Sequence, residues 1–246
     1  MIALVLVGAS GRMGRAIEDA ARASGDFTIK SRFGRDDPIP VAADAASWAG
    51  PGEVVVEFSS PAGAVAAARA CAAFGAGLVS GTTGLSVEDE EELERAATRV
   101  PVLRAANFSL GVLALRRALG AALDVLPSGW DVEIVERHHR GKLDSPSGTA
   151  LQLARDVGER RGIPEPALRH GRVGRAGPRP ESEIGMHALR GGNWVGDHTV
   201  LMAGPGEWLE LRHVAQDRGA FAHGVLSATR FVVTAAPGLY NLEDVV

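Results

Sequence analysis

The chain has 246 residues, 46% hydrophobic and 23% charged, with a formal net charge of −4 at pH 7. That balance belongs to an ordinary globular protein, long enough for one large or two small domains, and excludes a strongly basic nucleic-acid surface. A single cysteine, Cys71, excludes an internal disulfide and fits a reducing cytosol.

The N-terminal MIALVLVG carries no basic residue before its apolar run, which stops at Gly8, so no signal peptide is predicted. No apolar stretch reaches the roughly 18 to 20 residues that span a bilayer. A soluble, cytoplasmic protein is expected, with no metal site. Ile2 to Val7 reads as a parallel strand buried on both faces. GASGRMG follows at once, with Gly8, Gly11 and Gly14 spaced G-x-x-G-x-x-G, and then a helix with Met13, Ala16, Ile17 and Ala20 on one face, ending near Gly25. Strand, glycine turn and helix in this order form the context of a dinucleotide fingerprint. The first glycine permits the tight turn, the second admits the pyrophosphate, and the third lets helix and strand pack. Gly8, Ser10, Gly11, Arg12, Met13 and Gly14 are therefore candidate cofactor contacts.

Phe27, Ile29, Ser31 and Phe33 alternate as a second strand. About 20 residues beyond the fingerprint, the fold places the residue that chooses the cofactor. Here the count lands on Gly34, which has no carboxylate to meet the ribose hydroxyls or repel a 2′-phosphate, and Arg35 follows. Lys30 and Arg32 share a face by alternation, so one of them could also turn toward a phosphate. Asp36 and Asp37 argue the other way. On balance, NADPH is expected to be preferred over NADH by about ten-fold or more, with NADH still usable.

No clear periodicity marks Val41 to Pro51. Glu53 to Phe58 is a third strand, and Ser60 is placed to cap an alanine-rich helix running to about Phe74. Leu78 to Ser80 is a short fourth strand, and the Gly81-Thr82-Thr83-Gly84 loop after it lies where α/β sheets hold ligands. Ser86 starts an acidic helix, and Val102 to Ala105 is a fifth strand. To this point the alternation predicts a doubly wound parallel sheet.

A long helix follows Asn107-Phe108-Ser109, with Val112, Leu115, Leu119, Ala122 and Leu126 on one face and Pro127 as its stop. Trp130, Val132 and Ile134 alternate as a strand, and Ala150, Leu153, Ala154 and Val157 line a helix. Between them, five of the six residues from Arg137 to Lys142 can carry positive charge. Such a run is self-repelling unless a counter-charge visits. Ser147-Gly148-Thr149 closes this elbow at a helix N-terminus, where open N–H groups and the dipole favour an anion. Ser147 or Thr149 can equally be a simple helix cap. Titratable donors beside an anion cradle suit a small, negatively charged substrate that must receive a proton. Gly162 to Glu181 reads as a long loop. Ile184–Arg190, Trp194–Ala203 and Trp208–Val214 read as strands, and a last apolar helix spans about Ala220 to Thr234. The second region is thus an α+β unit distinct from the first.

GASGRMG at 8–14, EFSSP at 57–61, SGTTG at 80–84, NFSLGV at 107–112, ERHHRGKLDSPSGTAL at 136–151 and RGGNWVGDHTV at 190–200 together resemble the dihydrodipicolinate reductase family. The resemblance covers essentially the whole chain. It implies a dinucleotide domain built from both chain ends (1–108 plus 219–246), a substrate and oligomerisation domain (109–218), and a homotetramer. It also implies NAD(P)H-dependent reduction of 4-hydroxy-tetrahydrodipicolinate, or its dehydrated imine, to tetrahydrodipicolinate on the diaminopimelate route to lysine. By the same resemblance His138 is the proton donor and Lys142 the lysine paired with it, while His139, Ser147, Gly148 and Thr149 hold the substrate's carboxylates. Gly81, Thr83, Ala105 and Phe108, with Thr82 and Asn107 beside them, match positions near the nicotinamide and ribose. Arg218 resembles an arginine at the domain junction and is a candidate substrate contact. Gly141 stands where many members have a histidine, and Ser145 where alanine is usual. Two rivals remain: a dehydrogenase of another amino or imino acid, which needs no dicarboxylate cradle, and a non-catalytic nucleotide sensor, which has no need of His138 and Lys142.

Overall fold

A computed structural model describes residues 1–34, 37, 49–163 and 167–246. The expected contact Arg35, with Asp36 and most of the 41–51 connection, lies outside the described residues. The chain divides into two compact units, Met1–Leu110 with Arg218–Val246, and Gly111–Asp217.

The first unit is a parallel sheet with helices. Its strands are β1 (Ile2–Val7), β2 (Phe27–Phe33), β3 (Glu53–Glu57), β4 (Gly77–Ser80), β5 (Pro101–Arg104) and, near the C-terminus, β11 (Gly238–Tyr240). They lie in the order β11-β5-β4-β3-β1-β2. The direction of winding therefore reverses beside β1, the position where open α/β sheets form a ligand crevice. Helices α1 (Arg12–Ser24), α2 (Pro61–Phe74), α3 (Val87–Ala97) and α6 (Gly219–Val232) complete the unit. Leu4, Leu6 and Ile17 are fully buried, as a strand covered on both faces and an amphipathic helix require. Ser60 caps α2 by accepting from Gly63 N–H, and Ser86 caps α3 in a reciprocal box with Asp89. β11 pairs with β5, Leu239 opposite Val102. Three residues reading Gly-Leu-Tyr are too short to show a period, and no strand is predicted there.

In the second unit α4 (Leu110–Val125) and α5 (Gly148–Arg160) cover one face of a five-stranded sheet, ordered β10-β9-β6-β8-β7. Its strands are β6 (Asp131–His138), β7 (Ala167–Arg169), β8 (Glu183–Arg190), β9 (Gly196–Gly204) and β10 (Glu207–Ala215). Leu119, Val132, Ile134, Leu153, Ile184 and Met202 make the core between sheet and helices. Two expectations are corrected. The 162–181 segment is not all loop, since β7 pairs in parallel with β8. And β6 runs on through His138, so this histidine ends a strand instead of sitting in a loop.

Gly14 shows how tightly α1 is docked. A Cβ there would lie 2.4 Å from the Gly8 carbonyl oxygen and 2.7 Å from Ala9 Cα, both backbone atoms that cannot swing aside. Gly14→Ala is expected to lower the unfolding free energy by about 1–3 kcal/mol, the usual cost of overpacking. Gly50→Ala, which has nothing within 4 Å, should stay within about 0.5 kcal/mol. Urea unfolding of the two variants checks this.

Candidate active site

The loops at the C-terminal ends of the first unit's strands are tied together. Gly8 and Ala9 both donate to the carbonyl of Phe33 at the end of β2, Phe58 donates to Val7, Gly81 to Glu57 and Ala105 to Ser80. Gly8 has φ +84°, and a Cβ there would lie 2.2 Å from the Phe58 carbonyl oxygen. Only glycine fits. Gly11 is the N-cap of α1 and brings no side chain to its first turn, so the open N–H groups there are left for a ligand. A depression of about 430 Å³ lies over this turn, lined by Gly11, Arg12 and Met13, Phe58 to Pro61, Gly81 to Thr83, and Arg218. The Arg218 guanidinium is held below the usual arginine range by burial and by Arg12 nearby. Among the described residues neither arginine has a carboxylate partner. Two unneutralised guanidinium groups beside a bare helix N-terminus fit a pyrophosphate.

A residue not singled out in the sequence organises this rim. Glu57, fully buried at the end of β3, accepts from Ser59 N–H, Ser59 Oγ and Thr82 Oγ1 on one oxygen and from Ser80 Oγ on the other. The Thr82 hydroxyl is therefore spent within the protein, also accepting from Ser59 N–H, whereas Thr83 is exposed. Phe108 is buried with its ring 5.4 Å from Phe58, and Asn107 Oδ1 accepts from Ser109 N–H. Ala105 is half-buried.

At the end of β2 the sequence expectation needs correction. The register with β1 slips between Leu4 and Val5, leaving Lys30 without an opposite residue, while Lys30 and Arg32 stay together on the exposed face. Lys30 pairs with Glu53 at 2.9 Å and Arg32 with Glu18 at 2.6 Å, so neither is poised for a phosphate. Asp37 folds back, its carboxylate accepting from Gly34 N–H at 2.7 Å. Ser10 Oγ lies 3.3 Å from where a Gly34 Cβ would stand.

In the second unit the basic elbow is less self-repelling than its sequence implies, because β6 alternates. Arg137 pairs with Asp197, which Arg212 also reaches. His138 turns the other way, and its Nδ1 lies 2.6 Å from Glu136 Oε2. Lys142 pairs with Asp144 at 2.8 Å, and His138 meets Glu136, so each of the two has its own carboxylate in this structure. Lys142 acts on His138 only through space. Burial is the main cause that lowers the His138 pKa; the Lys142 and Arg190 charges add to it, and Glu136 opposes it. His139 is half-buried and lies over Gly141.

Glu136, Arg190 and His198 were not assigned from the sequence. Glu136 is fully buried and takes a bidentate pair from Arg190, at 2.7 and 2.8 Å. Its Oε1 also accepts from Ser147 N–H at 3.0 Å. Ser147 Oγ accepts from Ala150 N–H and lies 3.1 Å from His198 Nε2. Ser147 is the buried cap of α5, its hydroxyl and its N–H both meeting groups within the protein. Gly148 is exposed and Thr149 half-buried at the same helix end. The signal for Glu136 and His198 was present, since both fall inside quoted motifs and Glu136 shares a strand face with His138 at i, i+2.

His198 is 4% exposed, and its ring centroid is 5.1 Å from that of His138. Burial, then the His138 charge, holds its pKa at about 4, against an ordinary value of 6.5. Between these values the unfolded chain binds the extra proton, so this contribution to stability is present above about pH 6.5 and lost as pH falls to about 4. The loss should be about 3 kcal/mol at most. Unfolding free energies measured from pH 4 to 7 should show that decline, and His198→Asn should flatten it.

Family models described as dihydrodipicolinate reductase, N-terminus, and dihydrodipicolinate reductase, C-terminus, match residues 2–108 and 111–246. The 4-hydroxy-tetrahydrodipicolinate reductase of Thermomicrobium roseum is 46% identical over all of both chains. That of Caulobacter vibrioides is 40% identical, covering 99% of this chain and 96% of its own. A dipicolinate-bound dihydrodipicolinate reductase from Paenisporosarcina sp. TG-14 shares the fold, with a TM-score of 0.79 at 23% identity over the whole of both chains. The chain belongs to the dihydrodipicolinate reductase family.

Proposed function

We propose that this chain reduces 4-hydroxy-tetrahydrodipicolinate, or its dehydrated imine, to tetrahydrodipicolinate, with His138 delivering the proton. One observation carries the assignment of roles. A single buried carboxylate, Glu136, holds the His138 ring on one oxygen and the N-cap of α5 on the other, so a proton donor stands beside an anion-binding helix end. NAD(P)H, when bound, supplies the hydride. The first unit's part is to hold it: the glycine turn admits the pyrophosphate, and Arg12 and Arg218 face its charge. This moves Arg218 from a substrate contact to a cofactor contact.

Hydride addition to a conjugated imine leaves an electron-rich enamine that must be protonated on carbon. Histidine is the side chain suited to that task near neutral pH. Gly148 and Thr149 at the head of α5 receive a substrate carboxylate, with His139 as a hydrogen-bond donor beside them and Arg140 adding positive charge. Lys142, held by Asp144, keeps an ammonium near the developing charge. The face of the second sheet turned away from α4 and α5 carries Trp208 and Val214, 62% and 48% exposed, and we assign it to contact between copies in a homotetramer.

His138→Ala and Lys142→Ala should each lower turnover by about 10²–10⁴, the worth of a positioned acid or base. Cofactor affinity, read by fluorescence titration, should hardly move. Near-normal turnover in both variants would sink the assignment.

We further propose that NADPH is preferred, with Arg35 as partner of the 2′-phosphate and Asp37 opposing it. Gly34 carries no side chain that blocks this corner, but Asp37 returns a carboxylate to it. Steady-state kcat/KM with each cofactor tests the pair. Arg35→Ala should lower the NADPH/NADH ratio by about ten-fold and Asp37→Ala should raise it by a similar factor, about 1.4 kcal/mol each. A ratio indifferent to both substitutions would place the selector elsewhere.

A further inference from the structure

We propose that Glu136 is a positioning residue for proton transfer: it fixes the His138 ring so that Nδ1 points inward and Nε2 is the nitrogen offered to the substrate. This rests on the reading of His138 as proton donor and goes beyond it. The carboxylate is fully buried and gathers four contacts: Arg190 Nη1 and His138 Nδ1 on Oε2, Arg190 Nη2 and Ser147 N–H on Oε1. A bidentate guanidinium keeps it ionised, and an ionised carboxylate can only accept. Nδ1 therefore carries its hydrogen in both protonation states of the ring, and the transferable proton sits on Nε2.

The surroundings agree. A Cβ at Gly196 would lie 3.3 Å from Nε2, so glycine keeps that nitrogen uncovered where any other residue would crowd it. The groups facing the ring from other elements are Arg190 on β8, Lys142 in the loop after β6, and His198 on β9. The anion that touches the ring is Glu136, on its own strand. Without it, the ring has two cations and a second imidazole as neighbours. In the reaction one proton leaves Nε2 for the substrate carbon, and the imidazolium becomes the neutral Nδ1–H tautomer. Solvent then returns a proton to Nε2. No other bond of the ring changes.

The test reads the tautomer first, in the unaltered protein. In long-range 1H–15N spectra of uniformly labelled enzyme above pH 8, His138 should show a protonated Nδ1 and an unprotonated Nε2. The reverse tautomer would overturn the proposal whether or not any variant folds.

Glu136→Gln supplies the second reading. Its amide keeps the shape but can donate to Nδ1 and turn the ring to the wrong tautomer. Turnover should fall by about 10²-fold or more, and the His138 titration followed by NMR should move to lower pH. Added to His138→Ala, the substitution should cost turnover nothing further. A merely structural Glu136 predicts the opposite pattern: the His138 titration stays put, and the loss persists in the His138→Ala background. Full activity in His138→Ala would instead remove the proton-donor reading, while the tautomer measurement would still stand or fall on its own.

Discussion

The second unit depends on a negative charge placed where no water reaches it. Burying a carboxylate is costly, and its removal from an ion pair typically leaves about 3–5 kcal/mol unpaid in the partner left behind. Glu136 offsets that cost by meeting the fork of Arg190, the ring of His138 and the N–H of Ser147 at once. These donors come from the end of β8, the end of β6 and the head of α5. Arg190 then reaches the Asp144 carbonyl as well, drawing in the loop that bears Lys142. Geometry that would otherwise depend on a mobile polar elbow is set by one residue in a strand.

The first unit solves a similar problem with neutral donors. Glu57 ends β3 as Glu136 nearly ends β6, and both are fully buried. Around Glu57 the partners are the hydroxyls of Ser59, Ser80 and Thr82 and one backbone N–H. These brace the loops after β3 and β4, which form the rim over the glycine turn. The difference fits the ligand each rim receives. A polyphosphate needs rigid loops and cations that remain unneutralised, so Arg12 and Arg218 are not consumed in the bracing. The proton donor we propose needs its own counter-charge, and the carboxylate there touches the imidazole directly.

Much of this was legible in the chain because it follows from periodicity and backbone demand. The apolar run Ile2 to Val7, the glycine spacing at 8–14 and the serine caps at 60, 86 and 147 each act locally, and each appears where it was expected. What escaped was long-range or short. Arg190 and Glu136 are 54 residues apart, and no local pattern announces that they meet. β7 and β11 have three residues each and exist because a neighbouring strand offers an edge. Lys30 went astray for a different reason. Alternation does put Lys30 and Arg32 on one exposed face, but it cannot show that Glu53 and Glu18 stand there to pair with them.

The charge of the elbow then takes on a different meaning from the one its sequence conveys. Five basic residues in six look like an open invitation to an anion, yet Arg137 and Lys142 already have carboxylates and His138 has its own. In the resting protein His138 lies below its ordinary pKa because burial and two cations outweigh one anion, and His198 beside it is neutral near pH 7. A dianionic ligand reverses that sum: two negative charges nearby favour the imidazolium that burial had disfavoured. If His138 is the donor we propose, it gains its proton most readily when a dianionic substrate is bound. In that reading Glu136 determines which nitrogen carries the proton, and the ligand's charge determines when.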